Sequence, residues 1–481
     1  MLKGINPYLP WYEYVPDGEP HVFGDRVYVY GSHDRFMGYA FCQNDYVCYS
    51  APVDDLTDWQ YEGVIYTRTE APRNEDGAHC LYAPDVTQGP DGRYYLYYAL
   101  DGIPIISVAV CDTPAGKYQY YGDVCHADGT ILGLKEGDDF QFDPGVYTEG
   151  DVTWLYSGFC PPMMTDRLGA QAIALDKDMI TIIREPKIIV PSSIQAKGTS
   201  FEGHGFFEAS SMRQVNGKYY FIYSSELSHE LCYAVSDRPD EGFVYGGTII
   251  DNGDLGIVDT PRYFVGNNHG SIERINGRWY IFYHRHTNAS MYSRQGMIEP
   301  IVIDSAGNIS QVEMTSTGPS GGAIQAQNII PAYCACNLYI TRPPMVDGAA
   351  GHNPFPYITQ DVADVDAEEL SQNADASGLK QLDNDARAYI RNITPGVVVG
   401  FKYLDFQNVT KLRIKTRGMC YGGKFDIMID RDDNVVDSID VAGGNEWTTS
   451  EASVQIPDGV HSLYFKMDGY GTLSFLDFEF C

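Results

Sequence analysis

The chain contains 481 residues, which is enough for two or three domains that each bury a core without disulfides or structural metals. Its 65 Asp and Glu residues outnumber 33 Lys and Arg residues, and the formal net charge of −32 argues against nucleic acid and anionic membranes as partners. Aromatic residues make up 13% of the chain, so the composition predicts a folded protein rich in short strands and tight turns.

The N-terminus and the cysteines bear on the compartment. Residues 1–7 lack the apolar segment of a signal peptide, and no apolar run approaches the length of a membrane span. The eleven cysteines include no CxxC pair, so they are expected to be free thiols and not a zinc motif. We therefore expect a cytoplasmic protein without a membrane segment.

A phrase repeats through the first two thirds of the chain: a turn residue, two further positions, an aromatic residue and an alternating apolar run. Its aromatic residues are Tyr28, Tyr95, Trp154, Tyr220 and Tyr280, spaced by 67, 59, 66 and 60 residues on subtraction. Each phrase predicts a hairpin, and about 60 residues hold the four short strands of one propeller blade. The repeats predict a five-bladed β-propeller over residues 1–318, and a β-sandwich would not explain them.

The composition changes after the fifth repeat. Stretches such as Thr317-Gly-Pro-Ser-Gly-Gly322 and Arg342-Pro-Pro-Met345 predict a linker or wrapping segment over residues 319–345. Alternating apolar residues resume at 397–406, 411–416, 424–430 and 462–467, and they predict a β-sandwich domain over residues 346–481. The predicted fold class is therefore all-β, with a five-bladed β-propeller followed by a β-sandwich.

Ionisable residues recur at the same phase of all five repeats, 10 to 12 positions before the aromatic residue. They are Asp17, Asp85, Asp143, Glu208 and His269. Because the innermost strand of each blade lines the channel of a propeller, residues of equal phase are expected to meet in a ring. Carboxyl groups this close raise one another's pKa, which creates a proton donor beside an ionised base, the pair that glycoside hydrolysis uses.

Structural interpretations of the same residues stay open. A single Asp before a strand is more often a turn or cap residue, which applies most to Asp85, and His269 taken alone is more often a hydrogen-bonding histidine. Glu202 and His204 compete with Glu208 on composition alone. A ring of carboxylates could also hold a cation.

These motifs make residues 5–315 resemble glycoside hydrolase family 43, a family of inverting enzymes that remove arabinose and xylose from plant polysaccharides. The matching blocks are Pro16-Asp17-Gly18-Glu19-Pro20, Tyr82-Ala83-Pro84-Asp85, Phe142-Asp143-Pro144-Gly145, Phe206-Phe207-Glu208-Ala209 and Asn268-His269-Gly270. The resemblance implies that Asp17 is the general base, Glu208 the general acid and Asp143 the residue that raises the pKa of the acid.

Further residues are implied by the same resemblance. Asp85 and Arg294 are expected to contact the sugar, and His269 is expected beside a central cation or water cluster. Glu19 remains an alternative base, because the family's Asp is directly followed by Pro whereas Gly18 and Glu19 intervene here. No cofactor is expected for the chemistry, and a structural calcium ion is considered.

The implied function is release of terminal α-L-arabinofuranosyl groups from arabinoxylan- or arabinan-derived oligosaccharides of the plant cell wall. β-Xylosidase activity on xylo-oligosaccharides is the second candidate, and a non-catalytic sugar-binding propeller is the third. A retaining hydrolase of fructosides is a further alternative, but the Asn-Asp-Pro style opening that would carry its nucleophile is absent. The C-terminal region resembles a family 6 carbohydrate-binding module in segments such as Gly422-Gly423-Lys-Phe-Asp-Ile427, with Trp447 expected in its core.

Overall fold

The computed structural model describes residues 2–341, 355–361 and 388–481. Residues 342–345, which end the predicted linker or wrapping segment, and residues 346–354, which begin the predicted second domain, lie outside the described residues. Within those ranges the regular structure is β-strand, apart from 3₁₀ turns at Arg68–Glu70, Gly318–Ser320 and Ala332–Cys334. The same ranges contain no helix of the length and apolarity that crossing a membrane requires.

Five antiparallel sheets follow one another along the chain, and each is one blade. Blade 1 consists of β1 (Glu19–Phe23), β2 (Arg26–Tyr30), β3 (Tyr46–Pro52) and β4 (Gln60–Tyr66). Blade 2 consists of β5 (Asp85–Gln88), β6 (Tyr94–Ala99), β7 (Ile106–Cys111) and β8 (Gln119–Asp123). Blade 3 consists of β9 (Gly145–Glu149), β10 (Val152–Ser157), β11 (Gly169–Leu175) and β12 (Lys187–Pro191). Blade 4 consists of β13 (Phe206–Val215), β14 (Lys218–Ser225), β15 (Glu230–Ser236) and β16 (Val244–Asp251), and blade 5 of β17 (Ile272–Ile275), β18 (Arg278–His286) and β19 (Arg294–Ile301).

Each repeated phrase forms the second strand of its blade. The turn before that strand has a left-handed backbone, as at Gly217 and Gly277 (both φ 81°), which glycine adopts without steric cost. The buried aromatic and aliphatic residues that follow pack between neighbouring blades, as Tyr95 of blade 2 does in one cluster with Val146 and Leu155 of blade 3. The apolar core of the propeller therefore lies between blades, which leaves the axis to polar groups.

The ring of blades closes between blade 5 and blade 1. An isolated parallel bridge joins Gly18 to Gly270, next to Asp17 and His269 respectively. The buried Asn6 also binds blade 5, because its Nδ2 donates to the Ile298 carbonyl at 3.0 Å and its Oδ1 accepts from the Ile298 N–H at 2.9 Å. Closure thus brings together residues from the two ends of the propeller sequence.

The C-terminal domain is a curled ten-stranded sheet. Its strands are β20 (Ile324–Gln325), β21 (Ile330–Pro331), β22 (Asn337–Ile340), β23 (Tyr357–Thr359), β24 (Tyr389–Ile393), β25 (Val397–Phe406), β26 (Lys411–Ile429), β27 (Val435–Asp440), β28 (Gly444–Ser453) and β29 (Gly459–Phe480). The long strands β26 and β29 pair antiparallel from Leu412↔Phe480 to Ile429↔Leu463. The prediction of an all-β chain, with a five-bladed propeller and a second β domain, is confirmed.

The two domains share a hydrophobic core. Ile249 of blade 4 and Ile301 of blade 5 belong to one buried cluster with Leu338, Phe401 and Phe478 of the C-terminal sheet. Strands β20, β21 and β22, which lie in the segment predicted as a linker, pair with β25 or β29 and so pack as part of that sheet. The predicted domain boundaries themselves stay a prediction.

Candidate active site

Four of the five predicted ring residues converge at the propeller axis, and each is nearly buried. Asp17 and Asp143 are 4% exposed, Glu208 is 8% exposed and His269 is 3% exposed. Asp17, Asp143 and His269 stand just before β1, β9 and β17, and Glu208 lies near the start of β13. The equal phase in the repeats therefore corresponds to the same end of the innermost strands.

The backbone turns sharply where three of these side chains leave their strands. Asp17 (φ 57°), Asp143 (φ 44°) and Ala209 beside Glu208 (φ 69°) all have left-handed backbones, which non-glycine residues rarely adopt. The pairing register of β13 also shifts on both sides of Glu208, between Phe206 and Ser211. Irregular backbone of this kind at one site on three blades is typical of functional residues.

Arg294, at the start of β19, binds Asp17. Its Nη1 donates to the Asp17 Oδ1 at 2.9 Å, and the His284 Nδ1 lies 3.1 Å from the same oxygen. Burial opposes ionisation of Asp17, but the Arg294 charge and His284 outweigh it and hold the pKa of Asp17 well below its usual range. Asp17 is therefore a carboxylate at any physiological pH.

Asp34, in the loop after β2, holds Arg294 in place. Its Oδ2 accepts from the Arg294 Nε at 2.9 Å and its Oδ1 from the Arg294 Nη2 at 3.0 Å, a bidentate pair. The Arg294 guanidinium also lies over the Phe41 ring, 4.7 Å from its centroid. Of the guanidinium nitrogens, Nη1 is the one that turns toward Asp17. The predicted contact of Arg294 with a sugar stays a prediction.

Glu208 and Asp143 form a second pair, which consists of two carboxyl groups and contains no cation. Burial and the nearby Asp143 charge raise the pKa of Glu208 well above its usual range. Burial also raises the pKa of Asp143, whose Oδ2 accepts a hydrogen bond from the Ala209 N–H at 3.3 Å. That bond ties Asp143 to the residue next to Glu208. The pKa of Glu208 is thus raised, whereas that of Asp17 is lowered.

His269 lies between two carboxylates. Its Nδ1 is 3.5 Å from the Asp143 Oδ2 and its Nε2 is 3.8 Å from the Glu19 Oε1. Burial opposes protonation of the ring, but these two neighbours raise the pKa of His269 well above its usual value. These two carboxylates therefore favour the protonated, positively charged form of His269 at the axis.

Glu19, the alternative base, is fully buried beneath the ring. Its Oε2 accepts from the Ser211 Oγ at 2.9 Å and from the Arg213 Nη2 at 3.2 Å. Arg213 also donates to Glu273, so it joins blades 1, 4 and 5. These contacts bind Glu19 into the propeller core.

Asp85 is also fully buried. Its Oδ1 lies 2.6 Å from the His21 Nε2 of blade 1, and its Oδ2 accepts from the Val146 N–H of blade 3 at 2.7 Å. Asp85 therefore joins three blades, and its predicted contact with a sugar stays a prediction.

A cation near the axis would find donors in Glu19, His21 and Asp85. One ligand atom from each lies within 4.8 Å of the others, and the Glu19 Oε1 accepts no hydrogen bond from the described residues. Calcium prefers oxygen ligands, which Glu19 and Asp85 offer. The calcium ion stays a prediction, and so does the predicted place of His269 beside a central cation or water cluster.

Aromatic rings lie beside Asp143 and Glu208, one of them buried (Phe142) and three partly exposed (Tyr82, Phe159 and Phe207). The Phe142 and Phe159 centroids are 4.9 Å apart and those of Phe159 and Phe207 are 5.7 Å apart, while Tyr82 lies 5.3 Å from Phe142. Phe142 and Phe207 are the direct neighbours of Asp143 and Glu208 in sequence. Rings of this kind suit the apolar faces of sugars.

Two residues competed with Glu208 in the sequence, and two residues at the site were not predicted from it. Glu202 is exposed, with its carboxylate 3.1 Å from the Gly198 N–H, and His204 pairs with Glu230, so neither takes the place of Glu208. The unpredicted residues are Asp34 and His284, which lie 17 and 267 positions from Asp17 on subtraction. One signal could have indicated Asp34: a buried arginine such as Arg294 needs a buried carboxylate as its partner.

Comparison with known proteins gives consistent matches. The model of the family "Glycosyl hydrolases family 43" matches residues 14–309. A xylosidase/arabinosidase from Thermoclostridium stercorarium is 53% identical over 99% of this chain and 98% of its own length, and an arabinoxylan arabinofuranohydrolase from Paenibacillus polymyxa is 24% identical over 97% of this chain and 71% of its own. The crystal structure of a Bacillus subtilis arabinoxylan arabinofuranohydrolase in complex with cellotetraose shares the fold, with a TM-score of 0.51, 20% identity and coverage of 99% of this chain and 97% of that one.

We predict that Arg294→Met lowers the free energy of unfolding by about 3–5 kcal/mol at neutral pH, because it leaves Asp34 and Asp17 as buried carboxylates without their guanidinium. Urea unfolding measures the loss. The control is Arg184→Met, which removes an exposed guanidinium lying over Trp154 and should cost about 1 kcal/mol or less. Equal losses in the two variants would contradict the assigned role of the Arg294 pair.

Proposed function

The chain belongs to family 43 of the glycosyl hydrolases, and from that premise we propose that it releases terminal α-L-arabinofuranosyl groups from arabinoxylan or arabinan oligosaccharides by single displacement with inversion. The chain is a glycoside hydrolase of the xylosidase/arabinosidase kind. The arabinofuranosyl preference rests on the relative from Paenibacillus polymyxa, whose name gives that activity and whose alignment extends over both domains of this chain.

The observation that carries the mechanism is the contrast in the surroundings of two buried carboxyl groups. Against the opposing effect of burial, the Arg294 guanidinium, 2.9 Å from Asp17, lowers the pKa of Asp17, whereas burial and the Asp143 charge raise the pKa of Glu208. Glu208 then donates its proton to the leaving glycosidic oxygen, while Asp17 takes a proton from the water that attacks the anomeric carbon. An inverting pair needs a separation of about 6.5–9.5 Å to admit that water, which residues on different blades can provide.

Asp17 is the better base than Glu19. Asp17 lies just before β1, at the same end of the innermost strands as the other three axial groups. Glu19, in contrast, is engaged by Ser211 and Arg213 in the core. A base must reach the proton of a water molecule beside the sugar. Asp143 acts through its charge on Glu208, and these residues perform the chemistry without a cofactor.

The aromatic rings next to the acid support a sugar in the active site. Tyr82, Phe142, Phe159 and Phe207 form a continuous row of rings, of which Phe142 is buried and the other three are partly exposed. A sugar ring stacked on this row would lie near the acid, because Phe142 and Phe207 adjoin Asp143 and Glu208 in sequence. Pocket shape in this region, and not the carboxyl groups, decides between arabinose and xylose.

We predict that Glu208→Gln and Asp17→Asn each lower kcat by about 10²–10⁴-fold on substrates with poor leaving groups. The two variants differ on a dinitrophenyl glycoside, whose leaving group needs no proton. Glu208→Gln should recover most of the wild-type rate on it, whereas Asp17→Asn should remain slow because its water is still not activated. Stopped-flow release of dinitrophenol gives both rates.

Glu202→Gln is the matched control, since it removes an exposed carboxylate six positions from Glu208 and should keep wild-type activity. If Asp17→Asn recovered on the activated substrate and Glu208→Gln did not, the roles of acid and base would be reversed. Near-normal activity of either variant on all substrates would remove that residue from the chemistry.

We predict that Asp143→Asn moves the alkaline limb of the kcat/KM–pH profile to lower pH. The wild-type limb reports loss of the Glu208 proton, and the Asp143 charge raises that pKa. Removing the charge makes Glu208 easier to ionise, so the active protonated form is lost at lower pH. A limb that stays in place or moves to higher pH would rule out Asp143 as the residue that raises the pKa of the acid.

We predict higher kcat/KM on nitrophenyl α-L-arabinofuranoside than on nitrophenyl β-D-xylopyranoside, and proton NMR should show the anomer of inverted configuration first. A higher value on the xyloside would favour β-xylosidase, and first release of the retained anomer would exclude the inverting mechanism. Turnover of neither substrate, together with calorimetric binding of arabino-oligosaccharides to Glu208→Gln, would favour the non-catalytic sugar-binding propeller.

A further inference from the structure

Blade 4 contains a cluster of three groups that can bind metals: an imidazole, a carboxylate and a thiol. The proposed reaction does not use them. His204, just before β13, approaches Glu230 and Cys232 at the start of β15. The His204 Nδ1 is 2.7 Å from the Glu230 Oε1, and the Cys232 Sγ is 3.3 Å from the same oxygen and 4.0 Å from the His204 Nδ1. No spacing motif in the sequence marks this cluster, because the imidazole and the thiol are 28 residues apart.

These separations fit a tetrahedral zinc ion. Zinc bonds of about 2.0–2.3 Å to nitrogen, oxygen and sulfur place neighbouring ligand atoms roughly 3.3–3.6 Å apart. The observed separations of 2.7, 3.3 and 4.0 Å fall on both sides of that range. Side-chain shifts of less than about 1 Å would therefore bring all three atoms onto one ion.

The surroundings hold the ligands in position. The Tyr245 ring stacks on the His204 imidazole, with centroids 4.5 Å apart and planes 11° apart, and so fixes its plane. The Thr248 Oγ1 donates to the Glu230 Oε2 at 2.9 Å and the Ser225 Oγ donates to the Glu230 Oε1 at 2.6 Å, so both carboxylate oxygens are held in place. Hydrogen bonds of this kind orient the ligands of metal sites.

The cluster is also open on one side. The His204 side chain is 31% exposed while that of Glu230 is 7% exposed, and Cys232 is buried. An ion could thus enter past the imidazole, and a water molecule could take the fourth position there.

We propose that His204, Glu230 and Cys232 form a zinc site that joins the segment before β13 to β15. Binding displaces the proton on the His204 Nδ1 and the thiol proton of Cys232, and both go to solvent. The set of one thiolate, one imidazole and one carboxylate favours Zn²⁺ over calcium or magnesium. This site is independent of the glycosidase chemistry, and it would stiffen the backbone that leads to Glu208 four residues later.

The test uses the full chain, freed of metal by chelator and titrated with Zn²⁺ in a calorimeter and with Co²⁺ in a spectrophotometer. We expect one equivalent of Zn²⁺, a higher midpoint of thermal unfolding and, with Co²⁺, the near-ultraviolet charge-transfer band of a cobalt–thiolate bond. Cys232→Ser should lose the band, and Cys48→Ser, which removes an equally buried thiol from blade 1, should keep it.

His204→Gln covers the case in which Cys232→Ser fails to fold, because His204 is partly exposed and Gln can still bind Glu230. It should weaken Zn²⁺ binding by at least about tenfold. Absence of the band in the wild-type protein, its survival in Cys232→Ser or unchanged Zn²⁺ affinity in His204→Gln would overturn the proposal. None of these measurements depends on whether the chain hydrolyses arabinosides.

Discussion

Pairing of buried charge is the constraint on which the rest of the propeller axis depends, and the contact of Arg294 with Asp17 is its central case. Burial alone would raise the pKa of Asp17, as it does for Glu208. The Arg294 guanidinium reverses that effect for Asp17, and it is itself fixed by two hydrogen bonds to Asp34. One buried cation therefore shifts the pKa of Asp17 in the direction opposite to that of Glu208.

The same charge pairs also hold the blades in register. Arg294 of blade 5 reaches the loops of blade 1, Arg213 of blade 4 reaches Glu19 of blade 1, and His269 before blade 5 lies beside Asp143 before blade 3. Between the blades the contacts are apolar, whereas at the axis they are ionic. Closure of the ring and preparation of the catalytic carboxyl groups are consequently served by the same contacts, so a substitution there is expected to change both stability and pH dependence.

Sequence periodicity predicted the blades and the end of the axis at which the ionisable residues gather, because both follow from the phase of a repeat. It left Glu19 open as an alternative to Asp17, since both residues lie within two positions of the start of β1. Their difference comes from Ser211 and Arg213, which are nearly 200 positions away. Asp85 shares the phase of the ring, yet contacts with His21 and Val146 bury it. Phase fixes position along a strand, but partners from other blades decide what a side chain can do.

Chemistry and substrate choice have different structural origins in this arrangement. The proposed acid, the proposed base and Asp143 are set by contacts among blades 1, 3, 4 and 5, and none of those contacts depends on the sugar. The aromatic row of Tyr82, Phe142, Phe159 and Phe207 lies outside those contacts, but Phe142 and Phe207 adjoin Asp143 and Glu208 in sequence. If a sugar stacks on this row, we expect a change in Tyr82 or Phe159 to affect sugar binding without moving the carboxyl groups. A change at Phe142 or Phe207 would act directly beside Asp143 or Glu208.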